Sequence, residues 1–81
     1  MHVSIYSLKK ILYEGEALSV NCKTTSGEVT ILDHHRPLIS ELAAGTMTIV
    51  DTAKKEHFVP VASGFLEVSV DNRTKCIIDE A

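Results

Sequence analysis

The sequence predicts an all-β protein, a sandwich or barrel of short strands in one domain. Apolar and polar residues alternate along most of the chain with a period of two, which is typical of half-buried strands. Residues that favour turns interrupt this alternation about every ten residues, the spacing found in sandwiches and barrels. The length of 81 residues is enough for one domain and not for two.

Each alternating run places a set of residues on one face of a predicted strand. The segment Gly27–Leu32 is rich in β-branched residues, which also favours a strand. The residues that share one face in the other runs are, in chain order, Val3 and Ile5; Leu18, Val20 and Cys22; Met47 and Ile49; Leu66, Val68 and Val70; and Thr74, Cys76 and Ile78.

Turns are predicted where glycine or asparagine can adopt the positive φ that a tight turn requires. The polar segment Asp51–Lys55 is predicted to form the tip of a hairpin between two strands. The dipeptides predicted to lie in turns are Glu14-Gly15, Ser26-Gly27, Ala44-Gly45, Ser63-Gly64 and Asp71-Asn72.

The segment 37–44 leaves two structures open. It begins with Pro37 and is followed by Gly45, and Leu38 and Leu42 lie four residues apart, which suits a short helical turn. An extended segment that crosses between two sheets fits the same residues equally well.

The composition excludes several classes of function. The formal net charge is −3, from 11 acidic and 8 basic residues, which argues against nucleic acid as a partner. No apolar run approaches the roughly 20 residues that span a bilayer, and the segment 1–4 does not begin a signal peptide. Cys22 and Cys76 lie far apart in sequence and could pair in a disulfide, but we expect two buried, reduced thiols in an intracellular protein.

No arrangement of residues indicates an active site, a metal site or a cofactor. His34 and His35 are conspicuous, but adjacent residues on a strand point to opposite faces, and further zinc ligands are missing. Ser63 lacks the Gly-x-Ser-x-Gly context of an activated nucleophile. The four glycines are isolated, which excludes a phosphate-binding loop. We therefore expect a protein that is not an enzyme and that works through docking surfaces.

A lipoyl- or biotinyl-type carrier domain is the alternative interpretation. Carrier domains are also all-β and of about this size, and they present a modified lysine at a hairpin tip, a place that Lys54 or Lys55 would fill. The neighbouring residues match neither the Met-Lys-Met nor the Asp-Lys-Ala setting of carrier lysines. A lysine-rich hairpin tip also serves solubility or protects a sheet edge.

Three stretches, taken together, resemble the amino-terminal domain of the ATP synthase epsilon subunit. Leu12–Ala17 is similar to the Val-Tyr-Ser-Gly-Glu-Ala of that family. Gly27–Ile39 is similar to Gly-Glu-Ile-Thr-Val-Leu-Pro-Gly-His-Ala-Pro-Leu-Leu, and Leu42–Gly45 to the Leu-Lys-Pro-Gly that follows it. Ser63–Val68 is similar to Gly-Gly-Phe-Leu-Glu-Val. The order and spacing agree over nearly the whole chain, so the combination is specific although each stretch alone is not.

The resemblance implies a two-sheet β-sandwich of about ten short strands over residues 1–81. It implies a non-catalytic part of the central stalk of a rotary F-type ATP synthase, peripheral to the cytoplasmic face of the bacterial inner membrane. Its partners would be the gamma subunit and the polar loops of the c-ring, which it helps to hold together so that ion-driven rotation reaches the catalytic head. Many members continue into a pair of helices that restrain ATP hydrolysis or bind ATP. This chain ends at Ala81 without them, so those properties are not carried over.

The resemblance also assigns residues to the two partners. Glu28 matches a family glutamate that meets the c-ring loops, where a carboxylate would face an arginine. His35 matches the family histidine at the junction of gamma and ring. Ser7 matches a position that faces gamma, although an ordinary serine at a strand end accounts for it nearly as well.

One loop departs from the family pattern. The Pro-Gly that precedes the histidine in the family is Asp33-His34 here, and the alanine after it is Arg36. The loop is therefore more charged and less biased toward a turn. We expect Asp33, His34 and Arg36 to face the c-ring as partner-specific contacts, with neutral surface variation as the alternative.

Overall fold

The computed structural model, which describes residues 1–81, contains seven strands and no helix. Two of the strands are long, with 14 residues in β2 and 13 in β6. In chain order the strands are β1 (His2–Tyr6), β2 (Ile11–Thr24), β3 (Gly27–Leu32), β4 (Leu38–Leu42), β5 (Gly45–Asp51), β6 (Glu56–Val68) and β7 (Arg73–Glu80).

The strands form two layers that share β2 and β6. The first sheet has the order β2–β1–β7–β6–β4 and uses the N-terminal half of β2 and the C-terminal half of β6. The second sheet has the order β3–β2–β5–β6 and uses the other halves of the two long strands. β1 and β7 pair in parallel, and all other pairs are antiparallel. The predicted all-β sandwich is confirmed.

Irregularities in register allow the two long strands to pass from one sheet to the other. The pairing of β2 with β5 shifts between Ala17 and Ser19, and that of β6 with β7 shifts between Val61 and Ser63. A bulge bends a strand and increases its twist, so it can redirect the chain without ending the strand. The turns predicted at Glu14-Gly15 and Ser63-Gly64 are therefore wrong, and this explains why there are seven strands and not about ten.

The same irregularity changes the direction of side chains in β2. Ala17 and Val20 are both buried, whereas Leu18, between them, is exposed. The extra residue shifts the alternation by one position, so Leu18 does not share the inward face of Val20 and Cys22 as predicted. Simple alternation also wrongly places Val70 on the inward face with Leu66 and Val68. Val70 is 88% exposed because β6 ends at Val68, before the turn.

The segment 37–44 is extended and not helical. Leu38–Leu42 forms β4, which pairs along its whole length with β6 and touches β2 through Leu42 and Thr24. Pro37 lies just before the strand, where its missing N–H does not interrupt the ladder.

The core lies between the two sheets and is formed almost entirely by aliphatic side chains. Sixteen buried hydrophobic residues form one cluster, and every inward residue predicted from the alternation except Leu18 and Val70 is buried. Cys22 and Cys76 are free and buried, as predicted. Burial raises the pKa of the Cys22 thiol to about 11 and that of Cys76 to about 12, so both thiols act as small apolar groups.

Asp51 organises the predicted hairpin tip between β5 and β6. Its Oδ1 accepts hydrogen bonds from the N–H groups of Ala53 (2.9 Å) and Lys55 (3.0 Å). Its Oδ2 lies 2.8 Å from Nε2 of His57, whose ring packs edge-on against Tyr13. The hydrogen bond with His57, followed by that from Lys55, lowers the pKa of Asp51.

We predict that Gly64→Ala destabilises the fold. A Cβ atom at this position would lie 2.5 Å from the carbonyl oxygen of Ile77 and 2.9 Å from Cα of Ile78, and backbone cannot move aside as a side chain can. We expect a loss of about 1–3 kcal/mol in the free energy of unfolding, measured by urea denaturation. Gly45→Ala is the control, because its Cβ would meet only the flexible Lys23 side chain. Equal losses for the two variants would contradict the prediction.

We predict that the stabilisation from Asp51 disappears in acid. The folded pKa of Asp51 lies below its unfolded value, so its contribution is complete above the unfolded pKa of about 4 and is lost as the pH falls through the folded pKa. Melting temperatures of wild type and Asp51→Asn should differ at pH 5.5 and converge toward pH 2. Glu56→Gln controls for the loss of one negative charge. A difference that stays constant over this range would exclude the ionised carboxylate as its source.

Candidate docking surfaces

The loop Asp33–Arg36, hereafter the docking loop, contains four of the six residues assigned from the sequence. It begins with a turn in which the N–H of His35 donates to the carbonyl of Leu32 at 3.1 Å. His34 occupies the left-handed region with φ of 59°. Histidine is one of the non-glycine residues that adopt this region more often than most. The turn therefore forms even though Pro-Gly is replaced by Asp33-His34.

The turn between β6 and β7 packs against the docking loop through Asn72. The Oδ1 atom of Asn72 accepts the N–H of His34 at 2.7 Å, and its Nδ2 donates to Oδ1 of Asp33 at 2.7 Å. The same Asp33 oxygen accepts a hydrogen bond from the ammonium group of Met1 at 2.7 Å. The contact with the ammonium group, followed by that with Asn72, lowers the pKa of Asp33.

The remaining side chains of the docking loop point outward. The side chain of His34 is 80% exposed and its Nε2 lies 3.7 Å from Oδ2 of Asp33. His35 is half-buried, and its Nδ1 donates to the carbonyl of Arg36 at 2.7 Å, which fixes the ring plane and leaves Nε2 free for another partner. Arg36 is exposed. The loop thus presents two imidazoles and a guanidinium on a short, hydrogen-bonded frame.

Glu28 lies near the beginning of β3, and the docking loop follows the other end of the same strand. Its Oε2 accepts a hydrogen bond from Nδ2 of Asn21 at 3.0 Å, and it stands opposite Lys23 in the ladder. Five residue steps of extended strand lead from Glu28 to Asp33, a distance of about 16 Å. Because β3 pairs only with β2 and is an edge strand, Glu28 and the docking loop lie along one edge of the molecule.

Ser7 is remote from the docking loop. Six residue steps of mostly extended chain lead from Met1, which contacts Asp33, to Ser7, so Ser7 lies about 20 Å from Met1. Its Oγ accepts hydrogen bonds from the N–H groups of Lys9 and Lys10, both at 3.2 Å, and its own N–H donates to the carbonyl of Lys10. The hydroxyl therefore stabilises the connection between β1 and β2, and the structure does not bring Ser7 and His35 together.

An exposed apolar patch on the outer face of the first sheet was not predicted from the sequence. Ile39, Phe65 and Ile77 project from three neighbouring strands, and Leu8 continues the surface from the β1–β2 connection. A shallow depression of about 320 Å³ lies among Ile39, Phe65 and Ile77. We call these four residues the apolar patch.

A signal for the patch was present in the chain. Phe65 and Leu66 are adjacent in β6, and Ile77 and Ile78 are adjacent in β7. Since neighbouring residues in a strand face opposite sides, only one member of each pair can enter the core. Leu66 and Ile78 are buried, so Phe65 and Ile77 remain outside.

The other half of this outer face is polar, and its groups pair with each other. Glu14 accepts hydrogen bonds from the hydroxyls of Ser4 (2.8 Å) and Tyr6 (2.9 Å), and one of its oxygens contacts Nε2 of His2. These contacts lower the pKa of Glu14, and the hydrogen bond from Ser4 has the largest effect. Nδ1 of His2 lies 3.2 Å from Glu16. These polar side chains thus have partners within the chain, whereas the side chains of the apolar patch are exposed.

No three His, Cys, Asp or Glu side chains converge in a way that would hold a metal ion.

Lys54 and Lys55 are exposed at the hairpin tip, with Lys54 in the left-handed region at φ of 65°. The structure contains no helix long and apolar enough to cross a membrane.

We predict that His34→Gly stabilises the fold. A non-glycine residue in the left-handed region is strained by about 1–2 kcal/mol. Glycine relieves this strain, but its larger conformational entropy in the unfolded chain offsets part of the gain. The net gain should be about 0.5–1 kcal/mol by urea denaturation, because the N–H that bonds to Asn72 is retained. Thr30→Gly, on an exposed position of β3, should instead destabilise. A loss at both sites would refute the strained-turn interpretation.

Comparison with known proteins identifies the family. The model described as "ATP synthase, Delta/Epsilon chain, beta-sandwich domain" matches residues 1–81. The chain is 41% identical over 75 residues to the ATP synthase epsilon chain 2 of Burkholderia orbicola, covering 91% of this chain and 49% of the relative. It is 30% identical over 82 residues to the ATP synthase epsilon chain of Mycolicibacterium vanbaalenii, covering 100% of this chain and 67% of the relative. It spans about half the length of most of the curated relatives it matches.

Solved structures agree in fold. A chain of the Euglena gracilis mitochondrial ATP synthase, in a structure of OSCP, F1 and c-ring, superposes with a TM-score of 0.87 at 17% identity, covering 94% of this chain and 48% of that one. A chain of the Tetrahymena thermophila central stalk and c-ring superposes with a TM-score of 0.82 at 16% identity, covering 99% and 63%. The family match favours the resemblance to the epsilon-subunit domain over the interpretation as a carrier domain. The chain belongs to the family of the ATP synthase delta/epsilon chain β-sandwich domain.

Proposed function

We propose that this domain acts as the epsilon subunit in the central stalk of a rotary F-type ATP synthase. It binds the gamma subunit and the polar loops of the c-ring, catalyses no reaction itself, and is peripheral to the cytoplasmic face of the bacterial inner membrane. Its function is to couple ion-driven rotation of the ring to ATP synthesis. The family match and the relatives named as epsilon chains support the proposal.

The apolar patch is the observation that carries the proposal. Exposed apolar clusters with a polar surround are typical of protein-binding surfaces. Ile39, Phe65 and Ile77 lie on three hydrogen-bonded strands of the first sheet, so the patch has a fixed shape before it meets a partner. A preorganised apolar surface loses little entropy on binding, which suits a part that must transmit torque.

The two partners are assigned to two surfaces. We assign the apolar patch to gamma, together with Ser7, which lies beside Leu8. We assign the edge formed by β3 and the docking loop to the c-ring, because Glu28, Asp33, His34 and Arg36 lie along it. His35 stands in the docking loop, and we assign it to gamma as well. A broad ring surface can reach both Glu28 and the docking loop across their separation of about 16 Å.

We predict that Phe65→Thr weakens the complex with the gamma subunit encoded by the same genome. Removal of an aromatic side chain from the centre of an interface should raise the Kd at least about tenfold, measured by calorimetry and by co-elution at one-to-one stoichiometry. Threonine favours strands, so the sheet should remain folded.

Phe58→Thr is the matched control. Phe58 and Phe65 are each 62% exposed and both lie on β6, but Phe58 belongs to the second sheet. Binding should survive Phe58→Thr. If wild type forms no complex with a folded gamma subunit, the proposed function fails. If wild type binds but both phenylalanine variants behave alike, the patch is not the gamma surface.

A further inference from the structure

We infer that Asn72 is the positioning residue of the docking loop: its carboxamide holds Asp33 and His34 in the conformation that binds the stalk partners. The inference rests on the proposed function, since it concerns how one of the two docking surfaces is shaped. Asn72 was recognised in the sequence only as part of a turn. Its role depends on contacts 38 and 39 residues away along the chain.

The geometry links two loops through one side chain. The carboxamide oxygen of Asn72 accepts the backbone N–H of His34, and its nitrogen donates to the carboxylate of Asp33, both at 2.7 Å. The backbone carbonyl of Asn72 accepts the N–H of His2 at 3.2 Å, which ties the same residue to the start of β1. Three segments of the chain therefore meet at Asn72.

Asparagine suits this position for two physical reasons. Its backbone is left-handed, with φ of 62°, a region that asparagine tolerates better than most residues. Its side chain offers a donor and an acceptor on one short planar group. An aspartate could accept from His34 but could not donate to Asp33, and two carboxylates would then face each other. Glycine would keep the backbone and lose both contacts.

The contacts to Asn72 affect the direction in which the loop side chains project. The left-handed conformation of His34 determines where the next residues, His35 and Arg36, leave the turn. The hydrogen bond to the His34 N–H holds that conformation where the sequence lacks the glycine that would adopt it freely. A loop that is ordered before binding loses less entropy in the complex. A substitution at Asn72 should therefore weaken binding although Asn72 does not touch the partner.

The test compares wild type, Asn72→Gly and Lys54→Gly in binding to a purified gamma–c-ring subcomplex. Asn72→Gly should weaken binding about tenfold, the equivalent of one lost hydrogen bond. Amide hydrogen exchange of His34 should accelerate by a similar factor, a readout that global stability alone does not produce. Lys54→Gly replaces another left-handed residue, at the hairpin tip, and should change neither quantity.

An exchange of side chains provides the rescue. Asn72→Asp alone should weaken binding because it places two carboxylates together. With Asp33→Asn added, the new amide can donate to the new carboxylate, which still accepts the His34 N–H. The double variant should regain His34 protection relative to Asn72→Asp. Protection is the readout here because Asp33 is itself assigned to the c-ring surface and also accepts a hydrogen bond from the Met1 ammonium group.

The outcomes separate the two proposals. If wild type does not bind the subcomplex, the proposed function is at fault. If wild type binds and Asn72→Gly binds within about twofold of it, or if the exchange does not regain His34 protection, Asn72 does not position the loop. Should Asn72→Gly unfold, the His34 protection of the exchanged double variant decides.

Discussion

The fold depends on two strands that belong to both sheets. A chain of 81 residues without tryptophan has little material for a core. By passing from one sheet to the other, β2 and β6 place inward residues in both layers without a connecting loop at each crossing. The bend in β6 requires close backbone contact, because Gly64 faces the carbonyl of Ile77 with no room for a Cβ. The irregular positions within these strands therefore connect the two layers of the molecule.

This arrangement also determines which surfaces are free. Sharing β2 and β6 leaves β3 as an edge of the second sheet and exposes the outer face of β4, β6 and β7 in the first. The first surface carries Glu28 and ends in the docking loop. The second carries the apolar patch. Both surfaces are parts of continuous hydrogen-bonded strands, so the paired sheets join one surface directly to the other.

Alternation predicted the core well and failed where the strands are irregular. Val3, Ile5, Met47 and Ile49 are buried as expected, while Leu18 is exposed by one extra residue in β2. Glycine was the ambiguous signal. Gly27 follows a turn, whereas Gly64 lies within a strand and allows the backbone of β7 to approach closely. Only pairing with a distant strand distinguishes the two, and a local pattern does not contain that information.

The docking loop was located by resemblance, but its shape could not be predicted from its own residues. The replacement of Pro-Gly by Asp33-His34 removes the local preference for a turn, yet the turn is present. The strain of a left-handed His34 is offset by its hydrogen bond to Asn72, and the carboxylate of Asp33 accepts from the same side chain and from the Met1 ammonium group. A local backbone preference has thus been replaced by a long-range contact. The conformation of the loop consequently depends on the β6–β7 turn, and a change in that turn can alter the shape of the loop without altering any of the loop's own residues.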